Sequence, residues 1–251
     1  LGVWLLLSIH SALRQQPRAA IVASGLGAVM LTSLLLGWRH LNEFDHGLLA
    51  LLQSERNAAL DGLVVLITRL GDLSTQLALA GLLLTLLLLS RQWRAALFAG
   101  SALLLTALSN SALKHLLERQ RPEVLLNPLH SYSLPSGHSS AAFAFFLVLA
   151  LLAGRGQPPR WRLTWLLLAS LPASAIALSR VYLGVHWPTD ILAGALLASV
   201  WCALCMAACE RQQSLPALTA KAWWLIVPAS TALLAAIATS ALPDALLRYR
   251  Y

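Results

Sequence analysis

Long runs of apolar residues separated by short polar breaks set the pattern of this chain. The runs lie near 19–37, 73–89, 95–113, 139–153, 163–178, 191–209 and 222–242, and 1–13 reads as the end of another. A helix needs roughly 20 apolar residues to cross the hydrocarbon core, with about 17 to 25 tolerated, so each run predicts a membrane span. The segment 38–61 differs: it mixes apolar residues at helical spacing with Glu43, Asp45, His46, Glu55 and Arg56, the pattern of a stretch lying along the interface. Residues 154–162, Gly-Arg-Gly-Gln-Pro-Pro-Arg-Trp-Arg, combine breakers with cations and predict a tight turn between antiparallel spans. No repeat of fixed period interrupts the pattern, so it predicts an all-α polytopic transmembrane bundle in one domain.

Composition agrees with the pattern: of 251 residues 58% are hydrophobic and 11% charged, a balance that excludes a soluble domain of this size. Trp38, Trp93, Trp161, Trp165, Trp187, Trp223 and Trp224 fall near predicted span ends, where an amphipathic ring favours the headgroup level. The net charge of +8 carries no basic stripe or nucleic-acid motif, so nucleic acid is not the expected partner. Anionic headgroups of the bilayer are the simpler one. Cys202, Cys205 and Cys209 share one predicted span and read as small buried apolar residues, without a disulfide or zinc.

Orientation follows from the short connectors. Arg14, Arg18, Arg91, Arg94, Arg155, Arg160, Arg162, Arg211 and Lys221 occupy alternate loops and hold nine of the 18 Lys and Arg. The other nine are spread over much longer loops, so the dense set is assigned to the cytoplasm and the opposite loops to the extracytoplasmic side.

Three polar clusters fall on that opposite side, where ionisable groups at span ends cost free energy and need a reason. Lys114 and Arg121-Pro122 stand seven residues apart, a spacing that returns to one helical face after about two turns. Pro135-Ser136-Gly137-His138 precedes a span, so free backbone N–H groups and the helix dipole there favour an anion. Ser179-Arg180 is followed by His186 and Asp190, whose i,i+4 spacing lets a carboxylate reach an imidazole N–H.

The pattern K-x6-RP, PSGH and SR-x5-H-x3-D resembles the type 2 phosphatidic acid phosphatase superfamily, with every fixed position matched in order, over roughly residues 60–210. The resemblance implies a six-helix phosphatase core within 19–210, preceded by a span end and connector over 1–18 and followed by an extra span and tail over 211–251. It implies a metal-independent lipid phosphatase without a cofactor, acting on undecaprenyl pyrophosphate, phosphatidate or phosphatidylglycerol phosphate. By the same resemblance His186 attacks phosphorus, Asp190 orients its ring, and His138 protonates the leaving oxygen. Lys114, Arg121 and Arg180, with Ser136 and the Gly137 backbone, bind the nonbridging oxygens. The implied location is a bacterial inner membrane with the site on the periplasmic side. The apolar opening at Leu1 resembles family members fused behind another N-terminal membrane domain.

The residues do not separate water from another lipid or a sugar hydroxyl as phosphoryl acceptor, so a phosphotransferase stays open, as does a non-catalytic lipid-binding protein. Soluble vanadium haloperoxidases carry the same motifs, and the apolar spans argue against them. His10, His40, His46, His115, His130 and Asn110 match no fixed position and receive no catalytic role. Asp72, after Gly71 near a span start, predicts a helix cap, and Glu118 and Glu123 are expected to tune the basic cluster.

Overall fold

The seven apolar runs all become helices, and most extend past the limits their apolar residues suggest. The computed structural model describes residues 17–124, 131–211 and 213–239. Among these, α1 (Pro17–Gly37) leads through a 3-10 turn (Trp38–Leu41) into α2 (Asn42–Ser54), followed by α3 (Ala58–Arg69), α4 (Leu73–Leu89), α5 (Trp93–Leu117), α6 (Gly137–Ala153), α7 (Pro159–Tyr182), α8 (Pro188–Cys209) and α9 (Ala220–Thr239). Five stretches are long and apolar enough to cross a membrane: Ala20–Ser54, Trp93–Leu117, Pro159–Tyr182, Pro188–Cys209 and Ala220–Ile237. Among the described residues the pair α3 and α4, bent by 47° at a short break, passes the same test only when taken together, as a broken span or a re-entrant loop would. The protein is an integral-membrane helical bundle.

Two differences from the sequence reading have physical causes. Residues 38–54 of the segment 38–61 are not set apart from the first span, because the 3-10 turn lets α2 continue from α1 in a 35-residue helical stretch, and 58–61 open α3. The segment's polar residue Asp45 thereby turns inward and is fully buried. Residues 58–69, whose apolar run 63–67 is too short to cross a membrane alone, form α3, which Asn57 caps by accepting from the Leu60 N–H at 3.0 Å. The expected span end at 1–13 and the last residues of the 222–242 run lie outside the described residues.

The bundle is built around α6, a 17-residue helix packed against α4, α5, α7 and α8. Its face meets Leu79 and Leu83 of α4, Phe98 of α5 and Cys202 of α8 in one apolar core, and α9 closes that core through Ile226. Cys202 and Cys205 are buried there as free thiols. Large side chains such as Leu89, 74% exposed, and Trp224, 78% exposed, point outward, as expected for a surface solvated by lipid.

At the end of the bundle holding the α6–α7 connector, the buried cation Arg155 pairs with Glu210, whose Oε1 also accepts the Leu215 N–H at 3.1 Å. Arg94 donates to the Cys209 carbonyl at 2.8 Å and the Ser214 carbonyl at 3.1 Å, closing the C-terminus of α8. At the other end the C-terminal turns of α5 and α7 meet the N-termini of α6 and α8. All three sequence motifs lie there.

Candidate active site

The turn between α7 and α8 delivers a histidine to the centre of this end. Gly184 has φ +70°, and a Cβ there would sit 2.7 Å from Val124, so the left-handed turn and the close approach both require glycine. The Val185 N–H then donates back to the Arg180 carbonyl at 3.0 Å, and His186 follows, 1% exposed. Pro188 opens α8 and Asp190 occupies its third position, from which Oδ2 accepts the Trp187 N–H at 2.9 Å. The same oxygen lies 3.2 Å from His186 Nδ1.

The partners of the ring fix its tautomer. A carboxylate only accepts, so Nδ1 carries the proton; a guanidinium only donates, so Nε2, 3.0 Å from Arg121 Nη1, presents its lone pair. Burial, then the charges of Arg121, Lys114 and Arg180, hold the His186 pKa well below the ordinary imidazole range. The ring is neutral and oriented, with its lone pair at Nε2.

Three cations act on that ring, Arg121 by direct contact and Lys114 and Arg180 through their charge. Lys114, in the last turn of α5, donates to the Tyr132 carbonyl at 2.6 Å and the Ser133 carbonyl at 3.2 Å. Arg121 donates through Nε to the Ser131 carbonyl at 2.7 Å and through Nη1 to the Val185 carbonyl at 2.6 Å. Arg180 donates to Thr68 Oγ1 at 2.7 Å. Lys114 and Arg121 do not share a helical face, as the spacing suggests: α5 ends at Leu117, and Glu118, at φ 48°, turns the chain out of the helix. Arg121 reaches the site from the loop, held by Ser133, whose N–H donates to the Arg119 carbonyl at 2.8 Å. Glu118 hydrogen-bonds the Tyr132 hydroxyl and raises its pKa.

The second histidine stands at the start of α6. Ser136 is fully buried and caps the helix, its Oγ accepting the Ser139 N–H at 3.4 Å. Its own N–H donates to the Asp190 carbonyl at 3.0 Å, and Ser139 Oγ donates to the Ile191 carbonyl at 2.7 Å, so the N-termini of α6 and α8 are locked side by side. Paired N-termini add positive potential where the cations already converge. His138 Nε2 lies 2.9 Å from Asp72 Oδ1. Asp72 occupies the N-cap position of α4 without a side-chain capping bond, which corrects the expected cap: its carboxylate turns to His138 instead. Gly71 makes room, since a Cβ there would lie 2.9 Å from the His138 ring.

The structure therefore gathers Lys114, Arg121, Ser136, Gly137, His138, Arg180, His186 and Asp190 at one end of the bundle. It adds Asp72 and Thr68, and a buried group of Asp45, Arg119 and Thr189 bonded to Asp190. The one signal available in the sequence was an additional arginine, Arg119, between Lys114 and Arg121; Asp45, next to Glu43 and His46, does not stand out.

Comparison with known proteins agrees with the geometry. Residues 95–214 match the PAP2 superfamily. The chain is 28% identical over 172 residues to an undecaprenyl-diphosphatase of Sulfolobus acidocaldarius, covering 66% of this chain and 78% of that protein. It is 30% identical over 166 residues to a lipid A 1-phosphatase of Rhizobium etli, covering 56% of this chain and 68% of that protein. Its fold is similar to the crystal structure of a transmembrane PAP2-type phosphatidylglycerolphosphate phosphatase from Bacillus subtilis, with a TM-score of 0.68, 25% identity, and 76% of this chain and 97% of that one covered. With the motifs complete, the helices in the same arrangement and relatives matched over most of their length, the chain belongs to the PAP2 superfamily.

Proposed function

We propose that this protein hydrolyses a lipid phosphomonoester or diphosphate through a phosphohistidine on His186. The observation that carries the reading is the polarity of the His186 ring: Nδ1 bonded to Asp190 and the Nε2 lone pair facing Arg121, with the charges of Lys114 and Arg180 also acting on the ring. A neutral nitrogen nucleophile surrounded by positive charge suits a phosphoryl group and little else.

In the proposed reaction Nε2 attacks phosphorus as the bond to the lipid oxygen breaks, and that oxygen takes a proton from His138. Asp72, 2.9 Å from Nε2 of His138, holds the acid in place. Arg121 exchanges the imidazole lone pair for a phosphoryl oxygen as the headgroup docks, and Lys114, Arg180 and the α6 N-terminus take the other oxygens. Arginine's planar fork suits two parallel bonds to phosphate. Water then attacks phosphorus, His138 accepts its proton, and the P–N bond breaks to restore His186 and release phosphate.

The relatives' substrates, undecaprenyl diphosphate and lipid A phosphate, support a membrane lipid that presents its phosphate from the bilayer. The dense cationic connectors at the opposite end support placing the site on the periplasmic side of a bacterial inner membrane. The test is release of labelled phosphate from undecaprenyl diphosphate and from phosphatidate, with EDTA, by wild type and His186→Ala in detergent. Release by wild type alone is expected; release by both sinks the histidine mechanism, and label retained on the protein without release shifts the reading to phosphotransfer.

A further inference from the structure

Behind the His186–Asp190 pair Asp190 is bonded into a buried polar group, Arg119, Asp45 and Thr189, that the fixed positions of the three motifs do not include. Arg119 is 3% exposed, Thr189 1%, and Asp45 and Asp190 0%. Arg119 Nη1 donates to Asp190 Oδ1 at 2.9 Å and to Thr189 Oγ1 at 2.7 Å, while Nη2 donates to Asp45 Oδ2 at 2.6 Å. Asp45 Oδ1 accepts the Thr189 N–H at 2.9 Å, and Oδ2 also accepts the Thr189 hydroxyl at 2.6 Å. Trp38 and Trp187 flank the guanidinium, with ring centroids 4.4 and 5.4 Å from its central carbon. Asp45 and Trp38 lie outside the segment that matches the family.

The charges explain why a second carboxylate is present. Asp190 facing Arg119 alone would form a neutral pair and offer His186 little negative charge. Asp45 takes a share of the same guanidinium, so one cation serves two carboxylates and the group remains negative by one toward His186. Once Nε2 is bonded to phosphorus with Nδ1 still protonated, the imidazole ring is cationic, and the ring and the buried group balance. In a site removed from water such balance is worth far more than at a surface.

We infer that Asp45 and Arg119 are positioning residues for catalysis: Asp45 shares Arg119 with Asp190, so the guanidinium does not by itself neutralise the Asp190 carboxylate, which stays aimed at His186. The inference rests on the reading that His186 is the nucleophile. A purely structural role, tying α2 to the start of α8, is the competing account, and the two differ in how a charge-restoring second substitution behaves.

The experiment measures kcat and KM for radiolabelled phosphatidate in detergent micelles, together with the rate at which acid-labile label reaches the protein. Each variant is first shown to elute as one species with the wild-type circular dichroism spectrum. Asp45→Asn leaves Arg119 to neutralise Asp190, so kcat and the labelling rate are expected to fall about 50-fold with KM within about twofold. Asp45→Asn combined with Arg119→Gln frees the Asp190 charge again and is expected to run about tenfold faster than Asp45→Asn alone. Arg119→Lys, which keeps the charge but loses the fork, is expected to lower kcat about tenfold, and it carries the test if Asp45→Asn does not accumulate as folded protein. Wild-type kcat in folded Asp45→Asn, a double variant no faster than that single one, or wild-type kcat in Arg119→Lys overturns the inference. His186→Ala is run beside them: if it keeps wild-type turnover the nucleophile assignment itself fails, whereas an inactive His186→Ala with a normal Asp45→Asn sinks only the present proposal.

Discussion

Both ends of this bundle bury charged side chains, and they use them for opposite purposes. At the end holding the α6–α7 connector, Arg155 meets the carboxylate of Glu210, and Arg94 meets the carbonyls that close α8. Each cation there finds negative charge or the negative end of a helix, and the result fastens the chain. At the other end Lys114 and Arg121 donate to carbonyls of residues 131–133 and 185, and the N-termini of α6 and α8 stand alongside. Carbonyl oxygens satisfy the N–H donors without cancelling the charge. What a cation can do is therefore decided by the charge around it, a carboxylate or the negative end of α8 in one place and the positive ends of α6 and α8 in the other.

The comparison breaks most sharply at Arg180, which donates to Thr68 Oγ1 and whose charge acts on His186. Arg180→Lys is expected to lower kcat/KM for phosphatidate on the order of 100-fold, because a point charge cannot replace the fork on phosphoryl oxygens. Steady-state kinetics check it, and turnover within a factor of about three of wild type would remove Arg180 from the phosphate site.

Asp72→Asn comes next. If Asp72 serves the leaving-group acid His138, its loss should slow hydrolysis of phosphatidate about 30-fold and that of p-nitrophenyl phosphate, whose leaving group needs little help, by less than about threefold. Equal losses on both substrates would make Asp72 a merely structural partner.

A smaller effect is expected from pH. Burial and three cations hold His186 well below the ordinary range, so the folded protein keeps the ring neutral where an unfolded chain, at about 6.5, begins to protonate it. The sign follows: His186's contribution to stability is full above the unfolded pKa and declines as pH falls below it, while Nε2 stays nucleophilic. Labelling of the protein by substrate, measured between pH 7 and 6, should change by less than about twofold from this group, and a tenfold drop would show that His186 titrates normally.

The least effect on chemistry is expected from the opposite end. Glu210→Gln removes one partner of a buried pair, which costs on the order of 3 kcal/mol of stability. Thermal unfolding should shift down while kcat per folded molecule stays within about twofold, and a large loss of kcat at unchanged stability would contradict the division between the ends.

The sequence made the helices and the eight candidate site residues legible because each signal is local: a run of apolar residues, a Pro-Ser-Gly turn before a helix, a histidine four residues from an aspartate. What it concealed depends on contacts between distant segments. Asp72 reads locally as a cap and becomes the partner of His138 only because the α3–α4 bend sets it against α6, 66 residues away in sequence. Asp45 reads as an interfacial acid and turns inward only because Arg119, 74 residues later, is there to receive it. Lys114 and Arg121 converge as expected, but through a left-handed residue at Glu118 that seven-residue spacing does not reveal.

The central claim is that His186 carries the phosphoryl group, and the most direct measurement is to find it. Wild type mixed with labelled phosphatidate and quenched in alkali within milliseconds is digested and the label mapped by mass spectrometry. The account predicts an acid-labile, alkali-stable phosphoryl group on Nε2 of His186, absent from His186→Ala and retained in His138→Ala, which should form it slowly and lose it more slowly still. Label on His138, or full turnover with no label on any histidine, would contradict it.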